Sequence, residues 1–279
     1  MSAVSTSDTT IALEALVDLA RAVGREAAAL VRERRPTGRV PVATTKSSPI
    51  DVVTEIDRAS EALIRRRILD ARPDDAFIGE EDEDVAGTSG VEWVVDPIDG
   101  TVNFVYGYPA YAVSIAARRD GEPVVGYVVN IASGEEWGAV AGGGAWRWAG
   151  EERIALAPPL PAEETPVDLG SLLVGTGFNY SRSVREAQAH AVAAMLPHVR
   201  DIRRGGAAAL DLCAVADGRL DAYVEQGLKP WDLAAGSLIA AEAGLVVSGL
   251  DGPADERLTL VVAASRRGEF LELVRACGF

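Results

Sequence analysis

Two lobes of helices layered on β-sheet, α+β over residues 1–156 and α/β over residues 157–279, form the fold class the sequence predicts. Three observations predict it. The first half carries two amphipathic helix patterns and then a run of closely spaced short strands. A proline-rich stretch, "APPLPAEETP" at 157–166, is the natural lobe boundary. Beyond it, strand and helix patterns alternate in the manner of α/β proteins.

The elements follow in order. Thr9 to Arg35 reads as a long helix with Ile11, Leu13, Leu16, Leu19, Val23 and Leu30 on one stripe and solvated Arg and Glu on the other. The prolines and turn residues between Pro36 and Pro49 predict a loop. A second helix runs from Thr54 to Ala71, ending before Pro73. "AFIGEE" and "EWVVD" read as short buried strands separated by an acidic loop. "YAVSIAARRDGEPVVGYVVNI" is a hairpin around Asp120-Gly121, and "EEWGAVAGGGAWRWAGEERI" continues an antiparallel meander. After the linker come strand "SLLVGTG", helix Val184 to Val199, strand "DIRR", helix Ala207 to Ala216 and strand "LDAYVE". Helix Leu233 to Ala243, stopped by Gly244, strand "LTLVVAA" and a last helix complete the chain.

Composition narrows the function. A hydrophobic fraction of 48% fits an ordinary globular protein. A net charge of −15 argues against a nucleic-acid partner, whose phosphates would be repelled. A small phosphorylated ligand stays open, provided cations reverse the local sign. The N-terminal "MSAVSTSDTT" has no signal-peptide character, and no stretch approaches the roughly 20 apolar residues of a membrane span. With Cys213 and Cys277 as the only cysteines, a reducing cytoplasm is expected. Lys46 and Lys229 are the only lysines among 27 basic residues; with the abundant Ala, Gly and Val this suggests a GC-rich coding genome.

Carboxylates carry the chemistry. Glu80 ends "AFIGE"; Asp96 and Asp99 close "EWVVDPID"; Asp57 lies on the second helix; Asp232 opens a helix of small residues. The bland readings are an N-cap for Asp232 and a solvated acidic loop for Glu81 to Asp84. The pair Asp96/Asp99 resists such a reading. Pro97 restricts Asp96, Gly100 permits close approach, and a second buried carboxylate costs several kcal/mol without a counter-charge. No Arg or Lys lies within the stretch, so a divalent cation is the simplest counter-charge. Oxygen ligands without His or Cys select Mg²⁺ over zinc. Gly100-Thr101-Val102-Asn103 would then begin a helical turn able to hold an anion.

Three other patterns fail on inspection. "DPIDGT" resembles the D-x-D-G-T nucleophile motif of haloacid-dehalogenase phosphatases but is one residue too long. "CAVADGR" matches C-x5-R, yet its periodicity is helical and buries Cys213. "GTGFNY" lacks the third glycine of a dinucleotide fingerprint. His190 and His198, eight apart on one helix, read as surface or capping residues rather than metal ligands.

Several long motifs then agree. "KSSPIDVVTEID" (46–57), "GEED" (79–82), "WVVDPIDGTVNF" (93–104), "LDLCAVADGRLDAYVE" (210–225) and "PWDLAAGSLIAAEAG" (230–244) resemble, in order, the signatures of the inositol monophosphatase family. The similarity is greatest to its bacterial, actinobacterial-type members. The resemblance implies the layered αβαβα sandwich of the inositol monophosphatase and sugar phosphatase type. It also implies a Mg²⁺-dependent phosphomonoesterase acting on myo-inositol-1-phosphate through attack of an activated water. Glu80, Asp96 and the Ile98 carbonyl would hold one Mg²⁺; Asp96, Asp99 and Asp232 a second; Glu80 would support a third through water. Asp57 and Thr101 would position and deprotonate the water, with the amides of Gly100 and Thr101 on the phosphate. Glu225 and the segment Gly206, Ala207, Ala208 would meet the inositol hydroxyls. Two metals roughly 3.5–4 Å apart serve such chemistry without a protein nucleophile. Lithium sensitivity and a homodimer are further family expectations.

This sequence departs from the family at Ala207, often Ser or Thr, at Gly205, often aliphatic, and at Tyr106, often His. Lys229-Pro230 also replaces the usual neighbours of Trp-Asp. The changes at 205–207 lie near the sugar and bear on substrate preference. Rival substrates are fructose-1,6-bisphosphate, histidinol phosphate and a 3′-phosphoadenosine nucleotide. A rival from another class is regulatory, since some bacterial homologues act through transcription-complex binding.

Overall fold

The computed structural model describes residues 6–46, 52–157 and 168–279, with side chains from residue 13 onward and not at 52. The 157–166 linker lies outside these residues except for Ala157, as does 47–51 of the "KSSPIDVVTEID" motif. In chain order the elements are α1 (Thr6–Arg34), β1 (Thr44–Thr45), β2 (Val52–Val53), α2 (Glu55–Ala71), β3 (Ala76–Gly79), β4 (Val91–Asp99) and α3 (Thr101–Tyr106). There follow β5 (Ala112–Arg119), β6 (Glu122–Asn130), β7 (Glu136–Val140), β8 (Gly144–Ala149) and β9 (Glu152–Ala155). The remainder is β10 (Leu173–Thr176), α4 (Arg182–Met195), β11 (Asp201–Arg203), α5 (Ala208–Ala216), β12 (Ala222–Glu225), α6 (Pro230–Glu242), β13 (Val246–Ser248), β14 (Thr259–Val262) and α7 (Arg267–Cys277). Among the described residues no helix is long and apolar enough to cross a membrane.

Strands β3 to β9 form one seven-stranded sheet in sequence order, parallel at β3–β4 and antiparallel thereafter. The predicted hairpin joins β5 to β6, with Asp120 at φ 53° and Gly121 at φ 83°, both in the left-handed region. The second sheet has the order β11-β10-β12-β14-β13 and is mixed rather than purely parallel. The strand that runs against the others is β14: it turns back from β13 and enters between β12 and β13, antiparallel to both, without a crossover helix. A two-stranded ribbon, β1 with β2, likewise uses part of the stretch expected to be loop.

Alternation along the strands builds the layers. Trp93, Val95, Val113, Ile115, Val125 and Tyr127 face α1 and α2, whose Leu16, Val23, Ile64 and Ile68 complete that core. Val94, Ala112, Ala116 and Val128 face the other way, onto α5 and α6. Those helices also cover Tyr223 and Val261 of the second sheet, whose far side packs on α4 and α7 through Met195, Phe270 and Val274. The order of layers is therefore helix, sheet, helix, sheet, helix.

The middle layer is unusually close because its faces are small. A Cβ on Gly126 of β6 would lie 2.7 Å from the Ala235 carbonyl oxygen of α6. That proximity brings the start of α6 against the ends of β4 and β5, where the carboxylates gather.

Candidate active site

An irregularity in the β4–β5 ladder explains the spacing of Asp96 and Asp99. Asp96 pairs with Ser114 and Asp99 with Ala112, so three steps along β4 match two along β5. Residues three apart on a regular strand face opposite sides; the bulge brings these two to one side. Pro97 sits within it, where a missing N–H costs no ladder bond. The Ile98 N–H folds back to Asp96 Oδ1 at 3.0 Å. Gly100 follows at φ 88°, and a Cβ there would lie 2.9 Å from the Ala110 oxygen and 3.0 Å from the Gly206 oxygen. Only glycine fits both the dihedral and the space.

Asp232 arrives from the opposite side. Helix α6 begins at Pro230, three residues before the expected Leu233, because proline's fixed φ suits a first helical position. Asp232 is therefore the third residue of the first turn rather than the N-cap, and its Oδ2 accepts the N–H of the N-cap Lys229 at 2.7 Å, half of a capping box. Ser114 Oγ donates to the Trp231 carbonyl at 3.3 Å, holding this turn beside Asp96. One carboxylate oxygen from each of Asp96, Asp99 and Asp232 lies within 4.8 Å of the others. Asp99 also accepts the N–H groups of Ala208 at 3.2 Å and Ala209 at 2.7 Å, capping α5 from a distant strand.

Glu80 leaves the end of β3. Lys46 Nζ lies 2.8 Å from its carboxylate and 2.7 Å from that of Glu81. Glu81 is not part of a solvated loop as expected: its side chain is 4% exposed, and burial pushes its carboxyl up to about 7 against the pull of Lys46. Asp57 is enclosed behind Thr101, whose Oγ is 3.2 Å from Asp57 Oδ1 and 3.1 Å from the Ile98 oxygen. Thr54 donates to Asp57 through both its backbone N–H, at 3.0 Å, and its hydroxyl.

These groups open onto a cleft of about 440 Å³. Glu80, Asp96, Ile98, Asp99, Gly100, Thr101, Gly206, Ala207, Ala208, Glu225 and Asp232 all line it; Asp57 does not and meets it only through Thr101. Tyr223 donates its hydroxyl to Glu225. Lys46, Lys229, Arg204, Trp231 and residues 178–180 also line the cleft and were not expected. The scarcity of lysine was a signal for two of them, since both lysines of an arginine-rich chain are here. The decoys fall away: Cys213 is buried within α5, and His190 and His198 are on the surface.

The electrostatics are those of an acidic site short of positive charge. Burial raises Asp99 to about 7, with the Ala209 N–H pulling down and Asp211, Glu225 and Glu80 pushing further up. Burial also holds Asp96 well above the ordinary range, reinforced by Glu80, Asp99 and Asp232. Asp232 is raised by burial, Asp99 and Glu80. Asp57 is lifted to about 6 by burial, against the bonds from Thr54. Among the described residues no Lys or Arg pairs with Asp96, Asp99 or Asp232. Converging oxygen donors without His or Cys suit a hard divalent cation, which would restore their ionised forms.

A model of the inositol monophosphatase family matches residues 12–277. The chain belongs to that family. An inositol-1-monophosphatase of Mycobacterium bovis is 47% identical to this inositol monophosphatase family member, over 94% of this chain and 92% of that protein. The solved structure of Mycobacterium tuberculosis SuhB is 43% identical, with a TM-score of 0.78 over 95% of this chain and 97% of that one. A Nus factor SuhB of Vibrio cholerae is 39% identical, over 81% of this chain and 83% of that protein. The layered α+β fold expected from the sequence is that of these relatives, and the chain is a phosphatase of a metal-dependent family.

Proposed function

We propose that this phosphatase hydrolyses myo-inositol-1-phosphate with Mg²⁺ as its cofactor, two to three ions per site. The observation that carries the reading is the convergence of Asp96, Asp99 and Asp232 beside Glu80 in one cleft. These four carboxylates and the Ile98 carbonyl would hold the metal. When bound, such ions neutralise phosphoryl charge and make water a stronger acid. The chain's own residues do the rest. Gly100 and Thr101 line the cleft, and their N–H groups would receive the phosphate. Asp57, ionised at neutral pH with its carboxyl at about 6, takes the water proton through the Thr101 hydroxyl. Water adds to phosphorus as the bond to the inositol oxygen breaks; that oxygen takes a proton from solvent water, and the proton held by Asp57 returns to solvent. Glu225, fixed by Tyr223, accepts from inositol hydroxyls.

Residues 1–156 and 157–279 serve as two lobes in this reading, each supplying part of the site. A homodimer, lithium inhibition and a cytoplasmic location accompany it as family expectations. The Nus factor relative favours a second reading, a regulatory binding role. A complete ligand set is unnecessary for such a role, so the enzyme comes first. The test is phosphate release from inositol-1-phosphate, fructose-1,6-bisphosphate, histidinol phosphate and a 3′-phosphoadenosine nucleotide, each with Mg²⁺ or EDTA. Release from inositol-1-phosphate at least tenfold faster than from the others, and only with Mg²⁺, is expected. No release from any of them sinks the catalytic reading.

A pH experiment reads the same charges. Asp57 and Asp99, raised to about 6 and about 7, bind more protons folded than unfolded between about pH 4 and pH 7. Stability without metal should therefore fall as pH rises through that window. The expected result is a Tm several degrees lower at pH 8 than at pH 5.5 in EDTA, recovered at pH 8 by millimolar Mg²⁺. A Tm that rises with pH in EDTA would show the carboxylates already neutralised within the protein.

A further inference from the structure

Helix α2 presents three buried polar side chains on one face, and each reaches a different segment of the site. Asp57 meets Thr101 on α3; Ser60 donates to the Pro97 carbonyl in the β4 bulge at 3.2 Å. Glu61, one residue on and four from Asp57, shares that face and has no role in the chemistry described so far. It is fully buried. Its two oxygens accept the N–H groups of Glu81 at 2.8 Å and Asp82 at 3.0 Å, the residues directly after Glu80.

Arg65, one turn later, completes a clamp. Its guanidinium lies 3.1 Å from Glu61, donates to the Glu83 carbonyl at 2.7 Å and stacks over Phe77 at 4.9 Å. The loop after β3 is thus held by two donors and one acceptor of its own backbone. Gly79 belongs to the same device: a Cβ there would lie 2.4 Å from the Glu61 carboxyl carbon. Loops usually hold a side chain loosely; this one is bolted to a helix at the residues flanking Glu80.

We infer that Glu61, with Arg65, is a positioning residue that sets the Glu80 carboxylate relative to the Asp96–Asp99–Asp232 cluster, and so tunes metal affinity without touching metal or substrate. The inference rests on the proposed metal site. Glu61→Gln keeps the shape but offers one oxygen to two N–H donors, turning an amide N–H₂ against one of them. Groups that orient metal ligands commonly change affinity by 10–100-fold.

The experiment measures Mn²⁺ binding directly, by titration calorimetry and by loss of the free-ion electron paramagnetic resonance signal, on wild type and Glu61→Gln. Expected is a Kd for Mn²⁺ raised at least tenfold. The metal concentration for half-maximal activity should rise in step, while kcat at saturating metal stays within about threefold. Unchanged Mn²⁺ affinity in the variant, whatever its Tm, overturns the inference and leaves the metal site standing. Absence of Mn²⁺ binding in wild type overturns the metal site and this inference with it. If Glu61→Gln does not fold, Arg65→Met, which frees the Glu83 carbonyl, decides by the same criterion.

Discussion

Asp96→Asn should lower kcat/KM for inositol-1-phosphate by about a thousandfold or more while leaving the fold intact. Asp96 is 2% exposed and stands between Glu80, Asp99 and Asp232, so it would be shared by the cations the site is proposed to hold. Asparagine keeps the oxygen that receives the Ile98 N–H, so the bulge survives. It removes a charge that the proposed cations, and through them the stabilised phosphoryl group, would need. The stability consequence has the opposite sign in two buffers. In EDTA the neutral side chain relieves repulsion among buried carboxylates, and Tm should equal or exceed that of wild type. In Mg²⁺ the wild type should gain several degrees and the variant almost none. Activity within tenfold of wild type would remove the metal cluster from the mechanism.

Asp57→Asn should separate proton transfer from metal binding. Asp57 does not line the cleft and reaches it through the Thr101 hydroxyl. Loss of a positioned general base costs about 10²–10⁴-fold in rate, and the loss is expected in kcat, with Mn²⁺ affinity within threefold of wild type. The acid limb of the wild-type pH profile, set at or below about pH 6 by this carboxyl, should vanish with it. A variant that keeps kcat but binds Mn²⁺ far more weakly would show that Asp57 orders the site instead of taking the proton.

Much of the site could be read along the chain. Glu80, Asp96 and Asp99 follow apolar strand patterns, Gly100 marks the tight approach, and the order of motifs matches the family whose model spans residues 12–277. The boundaries of α2, β5 and β6 differ from expectation by one residue or a few, because periodicity and the Asp120-Gly121 turn are local signals. Helix α6 starts earlier than its sequence pattern: apolar periodicity begins at Leu233, whereas the backbone is already helical at Pro230.

Other features had no local signal. Glu81 looked like one acid in a solvated run, and only packing reveals it as buried against Lys46. Glu61 sits in a helix stretch where a polar residue is ordinary, and nothing in its neighbours says that the loop twenty residues on will close over it. Asp57 and Thr101, 44 residues apart, become partners only when α2 packs against β4.

The sequence by itself determined which residues carry charge, which segments alternate and which turns need glycine, because those properties depend on near neighbours along the chain. The tertiary structure alone decided that four acids, one just after β3, two in β4 and one in α6, would share one cleft and that a buried carboxylate on α2 would brace one of them. The physical reason is that like charges are brought together by the burial of other surfaces: the small faces of β5, β6 and α6 close against each other, and the carboxylates of the neighbouring β4 and of α6 are carried together.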